Sequence, residues 1–201
     1  MLFVITGPSG CGKSTLAGRV LEELDNIDFS VSYTTRKKRN SEEEGKDYYF
    51  VSEGEFKRMM EDMKLVEWAV VHGNYYGTSK RELEKKATKG DILLDIDVQG
   101  AHQIKEKFKK TVFIFIMPPL YLELKKRLEK RGEESPESIN ERLDVAKKEI
   151  RHYHHFDYII INDLLEKAVE ELKSIILSTR CRFDPCKKEI MLILRSFSEE
   201  L

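Results

Sequence analysis

Cysteine is scarce, with three in 201 residues. Three thiols make no disulfide framework, and Cys181 and Cys186 are expected to be reduced rather than bridged. No apolar run reaches the ~20 residues that a membrane-spanning helix needs. A secretory leader is not expected either, because the first motif begins at residue 7 and leaves no room for one. Neither sign of charge is in surplus: Lys+Arg number 35 and Asp+Glu 36. That balance argues against a general nucleic-acid binder, whose surface is normally basic. No internal repeat or low-complexity linker divides the chain, and its length suits one domain with room for an inserted lobe. What is plentiful is charge, 35% of residues against the usual quarter, beside a hydrophobic share of 40% that suffices for a sizeable core.

One stretch organises the rest. Gly7-Pro8-Ser9-Gly10-Cys11-Gly12-Lys13-Ser14 follows a short apolar run at residues 2–5 and leads into a helical pattern from Thr15 to Leu24. The pattern is G-x-x-x-x-G-K-[ST], set where its chemistry needs it, between a buried strand and a helix start. Glycines let successive N–H groups converge into an anion nest, and the helix end adds unpaired donors and a positive dipole. Lys13 supplies a charge for the β- and γ-phosphates, and Ser14 a hydroxyl for Mg²⁺. The expected ligand is a nucleoside triphosphate.

From this loop onward the chain alternates. Leu16, Val20, Leu21 and Leu24 share a helix face, and Phe29 and Val31 alternate with serines as in a short strand. Residues 32–80 break the rhythm with a basic run, Arg36-Lys37-Lys38-Arg39, a polar loop over 40–46 and a strand over 47–51. Ser52 then opens a helix, with Glu55 completing a capping box. A strand over 65–71 and a turn over 74–78, rich in tyrosine and hydroxyl, follow. From residue 79 the alternation resumes. A charged helix leads to a strand over 91–97 that ends in Asp95 and Asp97, and a helix runs over 98–108. The unbroken apolar run over 112–116 suits a central strand covered on both faces. Helices around Leu122, Leu124 and Leu128 and over 138–151 flank a charged loop; a strand over 158–161 and a helix over 164–177 close the core. Residues 189–197 pattern as an amphipathic helix for the core or for a second subunit. The predicted fold class is α/β: three α/β/α layers around a parallel central sheet, with an inserted mixed α+β lobe and a helical lid, and ligands at the carboxyl ends of the strands.

Three further sets of residues suit phosphoryl transfer, which needs positioning and charge neutralisation more than covalent chemistry. Asp95 and Asp97, two residues apart on a strand, would point to one side and hold Mg²⁺ directly or through water; the alternative is that they cap the next helix. Arg127, Arg131 and Arg142 could clamp phosphates bidentately from a mobile loop, or belong to a solvated charged helix. In the inserted lobe, Arg36, Arg39, Tyr48 and Tyr76 suit a phosphate. Glu67 with Ser32 and Thr78 suits a purine edge, since guanine offers adjacent N1–H and N2–H₂ donors to one carboxylate and adenine does not. His152, His154 and His155 lie near a helix end that favours protonated histidine; a metal site there is the other reading, although no cysteine or carboxylate set completes it.

With these residues in view the chain resembles guanylate kinase. The resemblance is carried by segments 7–16, 30–36 with Arg39, 45–52, 66–69, 73–78, 92–100, 125–132, 137–143 and 160–163, in the family's order and spacing. Few families join such a phosphate loop to S-V-S-x-T-T-R, G-K-D-Y-x-F and N-Y-Y-G-T. The resemblance implies reversible transfer of the ATP γ-phosphate to GMP and dGMP. It implies that Gly7, Pro8, Ser9, Gly10, Cys11, Gly12, Lys13, Ser14 and Thr15 hold ATP, with Asn162 near adenine. Cys11 occupies a variable loop position and has no assigned chemistry. Ser32, Glu67 and Thr78 would contact guanine, and Arg36, Arg39, Tyr48 and Tyr76 the GMP phosphate. Asp97 would serve guanine and, with Ser14 and Asp95, the metal. Arg127, Arg131 and Arg142 would clamp the transferring group. Lys37-Lys38 stand where the family often has proline, and the tail beyond about residue 180 exceeds what the shortest members need.

The implied organisation is a core of residues 1–31, 80–126 and 143–180, a GMP lobe at 32–79, a lid at 127–142 and a tail at 181–201. A cytoplasmic monomer or homodimer is expected, without nucleic-acid or membrane partners. The attacking group is an already ionised phosphate oxygen, so no general base is needed, and repulsion between two polyanions is the barrier to offset. Two rivals stand beside this reading. One is a guanylate-kinase-like interaction module without catalysis, disfavoured by the intact Gly12-Lys13-Ser14. The other is a related kinase with another phosphate acceptor.

Overall fold

The computed structural model describes residues 1–130, 136–182 and 188–198. Arg131 and Cys186 lie outside the described residues.

Strand β1 (Leu2–Thr6) is buried along its whole length. It sits mid-sheet because its two faces feed two hydrophobic cores. Phe3 and Ile5 pack with Leu16, Ala17 and Val20 of helix α1 (Lys13–Glu23) and with Ala168, Val169, Leu172 and Ile176 of α7 (Leu165–Arg180). Leu2 and Val4 face the other way, among Leu83 of α3 (Lys80–Ala87) and Ala101 and Ile104 of α4 (Val98–Lys107). Burying one such side chain contributes about 1.5–3 kcal/mol. This period-two division of one strand between two helix layers makes the three-layer architecture. The sheet order is β2-β7-β1-β8-β9, built from Ile27–Ser30, Asp91–Asp95, the first strand, Thr111–Met117 and Tyr158–Ile161, and every pairing is parallel. Thus the strands' carboxyl ends all lie at one edge.

A second sheet, β4-β3-β6-β5, holds Tyr48–Phe50, Ser32–Thr34, Asn74–Ser79 and Leu65–Val71. It is mixed, with β3 parallel to β4 and antiparallel to β6. The chain passes between the sheets at Val31, so the serine-rich stretch after Phe29 supplies a strand to each. Helix α2 (Glu53–Glu61) packs against this sheet through buried Phe56, which stacks on Tyr75. Its capping box is formed as expected, Ser52 accepting from Glu55 N–H while the Glu55 carboxylate accepts from Ser52 N–H.

The structure departs from the sequence expectation at two places. Residues 74–78 are not a turn but most of β6; the turn is His72-Gly73, where both φ angles are positive (49° and 74°) and Val71 pairs with Asn74. Such a two-residue loop matches the strand twist, so the tyrosines after it enter the ladder. Secondly, the strand expected over 91–97 ends at Asp95, and Asp97 caps α4 by accepting from Gly100 N–H at 2.8 Å.

Helices α5 (Tyr121–Lys130) and α6 (Pro136–Glu149) meet through Leu124, Leu128, Leu143 and Ala146. After α6 the chain continues as a 3₁₀ segment, Ile150–His155. Helix α8 (Lys188–Ser198) exposes Leu192, Ile193, Leu194 and Phe197. Among the described residues no helix is long and apolar enough to cross a membrane.

Candidate functional site

At the carboxyl edge of the parallel sheet, β1 ends and the backbone turns into α1 through Gly7, Gly10 and Gly12, all at positive φ. Glycine is required at position 7, where a Cβ would collide with the Ile116 carbonyl of the neighbouring strand. Lys13 curls back over the loop, donating to the Gly7 carbonyl at 2.7 Å and the Pro8 carbonyl at 3.3 Å. Its ammonium lies 4.0 Å from Asp95 Oδ1. Burial opposes this charge, but the acidic groups around it, Cys11, Asp95 and Glu149, outweigh burial and hold the lysine above its usual range. Ser14 Oγ donates to Asp95 Oδ2 at 3.2 Å. Burial raises the Asp95 carboxyl pKa against the opposing pull of Lys13 and Ser14, and it raises that of Asp97 despite the Gly100 and Gln99 contacts. Two half-buried carboxylates in one lining, of which Asp95 accepts from the Ser14 hydroxyl, form an oxygen donor set suited to a hard divalent cation.

Across the cleft the second sheet supplies a different set. Glu67 on β5 is 3% exposed, with Thr78 of β6 fully buried behind it and donating to Glu67 Oε1 at 2.5 Å. The other carboxylate oxygen, Oε2, lies over the first turn of α4, so close that a Cβ at Gly100 would collide with it. Burial pushes the Glu67 carboxyl up to about 7, opposed by the Thr78 hydrogen bond and reinforced by Asp97. Ser32 is buried in the same lining.

Below them Arg36 is held on three sides. Its Nε donates to Tyr76 OH at 3.2 Å, and its two terminal nitrogens grip Glu42 at 2.7 and 3.0 Å. The guanidinium also lies 5.3 Å over the Tyr48 ring. Glu42 accepts from Arg39 N–H at 2.9 Å and faces the Arg39 guanidinium at 3.8 Å. Glu42 was missed in the sequence because it opens a run of three glutamates in a polar loop. The available signal was spacing: Arg36, Arg39 and Glu42 recur every third residue. Glu149, the last residue of α6, was missed too. It lines the same cavity, and burial pushes its carboxyl up to about 7 against the pull of Lys13.

One cavity of about 630 Å³ unites both sets. Its lining includes Gly7, Ser9, Gly10, Lys13, Ser14, Asp95 and Asp97 on one side and Ser32, Arg36, Arg39, Tyr48, Glu67 and Tyr76 on the other. Arg142 joins them from α6, donating to Ser9 Oγ at 3.1 Å. Pro8, Cys11, Gly12, Thr15 and Thr78 are not in the lining; Cys11 and Thr78 stand behind it as fully buried groups. Arg127 does not reach the cavity lining, and its guanidinium donates to the Asn162 carbonyl at 2.9 Å. The Asn162 side chain, 4% exposed, donates to the Cys11 carbonyl at 2.8 Å.

The histidines at 152, 154 and 155 lie outside this lining, joined by His102 at ring separations of 4.0–6.0 Å within the group. Among the described residues no three histidine, cysteine or acidic groups are placed to hold a metal ion.

A family model described as Guanylate kinase matches residues 1–179. The guanylate kinase of Geobacter metallireducens is 49% identical over 183 residues, covering 90% of each chain. A crystal structure of guanylate kinase from Anaplasma phagocytophilum aligns with a TM-score of 0.75 at 36% identity, covering 90% of this chain and 87% of that one. The crystal structure of shikimate kinase from Bacteroides thetaiotaomicron aligns with a TM-score of 0.52 at 15% identity over 88% and 98% of the two chains, a likeness of fold alone.

Proposed function

The chain belongs to the guanylate kinase family, and from that premise we infer that it is an ATP:GMP phosphotransferase, returning ADP and GDP in purine nucleotide metabolism. The observation that carries this reading is the single cavity with a phosphate loop at one end and a buried carboxylate, hydroxyls and paired arginines at the other. Both rivals explain that cavity less well. A binding module has no need of Lys13 over a glycine-lined anion nest, and a different acceptor has no need of a buried Glu67 oriented from behind by Thr78.

We assign ATP to the loop, with its phosphates on the backbone N–H groups of residues 7–15 and on Lys13. Mg²⁺ fits the oxygen set of Ser14, Asp95 and Asp97, and when bound it would offset charge between the two polyanions. We assign guanine to Glu67, with Ser32 and Thr78, and the GMP phosphate to Arg36, Arg39, Tyr48 and Tyr76. Thr78 fixes one Glu67 oxygen, so that the carboxylate is oriented before its ligand arrives. Glu42 likewise orients Arg36 and Arg39. Lys13 and Arg142 then flank the space between donor and acceptor, where charge shifts during transfer. The working division is a core of 1–31, 80–126 and 143–180, a GMP lobe of 32–79, a lid of 127–142 with Arg127 and Arg131 and a tail of 181–201. We place the protein in the cytoplasm, as a monomer or homodimer.

The direct test is a coupled assay with Mg-ATP and a panel of nucleoside monophosphates. A GMP rate far above those for AMP, CMP and UMP is expected; no turnover with any acceptor would favour the binding-module reading. A second expected outcome concerns Glu42. In E42Q one amide N–H₂ replaces a carboxylate oxygen beside arginine donors, and the grip on Arg36 is lost. One charge-assisted bond is worth about 1.5–3 kcal/mol, so KM for GMP should rise about tenfold or more while KM for ATP stays constant. Initial-rate measurements varying each substrate separately decide it.

A further inference from the structure

We propose that Asn162 is a positioning residue for the phosphate loop, setting the Cys11–Gly12 peptide for anion binding, rather than a contact for the adenine base. The proposal rests on the assignment of the triphosphate to this loop.

Asn162 follows the last residue of β9. Its own N–H donates to the Met117 carbonyl at 2.8 Å, continuing the ladder one residue beyond the strand. That bond fixes its backbone. Its carbonyl accepts from Arg127 of α5 at 2.9 Å, and its side-chain Nδ2 donates to the Cys11 carbonyl at 2.8 Å inside the protein. The side chain is therefore committed to the loop. Gly12 confirms how closely the two fit, because a Cβ there would collide with Asn162 Nδ2. Gly12 also has φ +95°, a conformation that glycine adopts freely.

The consequence follows from peptide geometry. In a trans peptide the C=O and the next N–H point in opposite directions. Holding the Cys11 carbonyl on Asn162 turns the Gly12 N–H to the opposite side. Were that peptide to flip, which glycine's freedom permits, the loop would lose a donor and present a carbonyl dipole of the wrong sign to a phosphate. Cys11 N–H is likewise fixed, donating to the Pro8 carbonyl at 3.1 Å. Arg127 holds the same residue from the α5 side, so its role here is exerted through Asn162.

The substitution N162D separates this role from base contact. At pH 8 the new carboxylate places acceptor against acceptor at Cys11. Once protonated it regains an O–H that can donate to that carbonyl. Among the described residues Asn162 touches the Arg127 guanidinium and the backbone of Cys11, whose thiol pKa burial pushes up, and Asp163 follows it in the chain. All three are present in both proteins, so the ratio of wild-type to variant affinity isolates the new group. Binding of Mg-ATP and of Mg-tripolyphosphate, which has no base, is measured by calorimetry at pH 8 and pH 5.5, with GMP as control. The expected result is an affinity about ten- to a hundredfold below wild type at pH 8 for both phosphate ligands, returning to within about threefold at pH 5.5, with GMP unchanged. N162A, which has no donor at any pH, should show the loss without the recovery.

Loss confined to ATP, with tripolyphosphate unaffected, would overturn the proposal in favour of a base contact. So would wild-type affinity in N162D at pH 8. If N162D does not fold at pH 8, N162A carries the test, and wild-type tripolyphosphate affinity in it overturns the proposal. Wild-type protein that binds neither phosphate ligand would instead refute the assignment of the loop.

Discussion

Replacing Lys13 by alanine should reduce kcat/KM for ATP by about a thousandfold or more while leaving the fold intact. The magnitude follows from position and charge. Removing one preorganised neutral donor from a reacting oxyanion costs about 10²–10³ in rate, and Lys13 carries a full charge in a cleft where its side chain is 15% exposed. The loss also has a second part. Asp95 and Glu149 face the same space, and without Lys13 one cation that offsets them beside the incoming phosphates is gone. Ground-state binding and the transfer step should therefore both suffer, with KM for ATP rising and kcat falling. Stability should change little, because the lysine's hydrogen bonds go to loop carbonyls on a partly exposed surface and not into either apolar core. Far-UV circular dichroism and a melting curve establish the fold, and steady-state kinetics decide the rest. Activity within tenfold of wild type would remove Lys13 from the mechanism.

Much of this site was legible because its signals are local. The phosphate loop needs only a strand, three glycines and a helix start in succession, and the structure has them in that order. The capping box at Ser52 and Glu55 is similarly contained within four residues. Errors arose where a nearby residue changed the meaning of a pattern. Asn74 to Thr78 reads as a turn by composition, yet His72-Gly73 had already reversed the chain, leaving the tyrosines to alternate across β6. Asp95 and Asp97 have strand spacing, but Gly100 three residues beyond Asp97 offers an N–H to cap, and the helix claims the second aspartate. Capping the helix does not take Asp97 out of the cleft, whose lining it also joins. Least legible were contacts between segments distant in sequence. Nothing in residues 160–163 indicates that Asn162 will reach Cys11, 151 residues away. For the same reason Arg127 could be grouped with other arginines by spacing while its guanidinium points to a strand end.

Glu67 provides the sharpest test of acceptor specificity, and its environment makes that test depend on pH. With Thr78 holding Oε1, glutamine at this position would keep its carbonyl toward Thr78 and turn its N–H₂ toward the guanine donors. Donor then meets donor. Two charge-assisted hydrogen bonds, each worth about 1.5–3 kcal/mol, are lost, so kcat/KM for GMP in E67Q should fall by about 10²–10⁴, while ATP binding is unchanged. Burial pushes the Glu67 carboxyl up to about 7. Only the ionised form accepts from both guanine donors, so GMP affinity should rise as pH increases toward 7 and level off above it. Below 7 the affinity should fall by up to about tenfold per pH unit. The GMP phosphate titrates in a similar range, but it does so equally in wild type and E67Q, so the ratio of their GMP affinities reports on Glu67 alone. That ratio should shrink on acidification. Protonated Glu67 is moreover a donor beside an acceptor, which complements adenine's N1 and N6–H₂. Discrimination of GMP over AMP should accordingly narrow as pH falls from 8 to 5.5. Calorimetric titration of both monophosphates across that range checks it; a GMP:AMP ratio independent of pH would show that the carboxylate is not what reads the base.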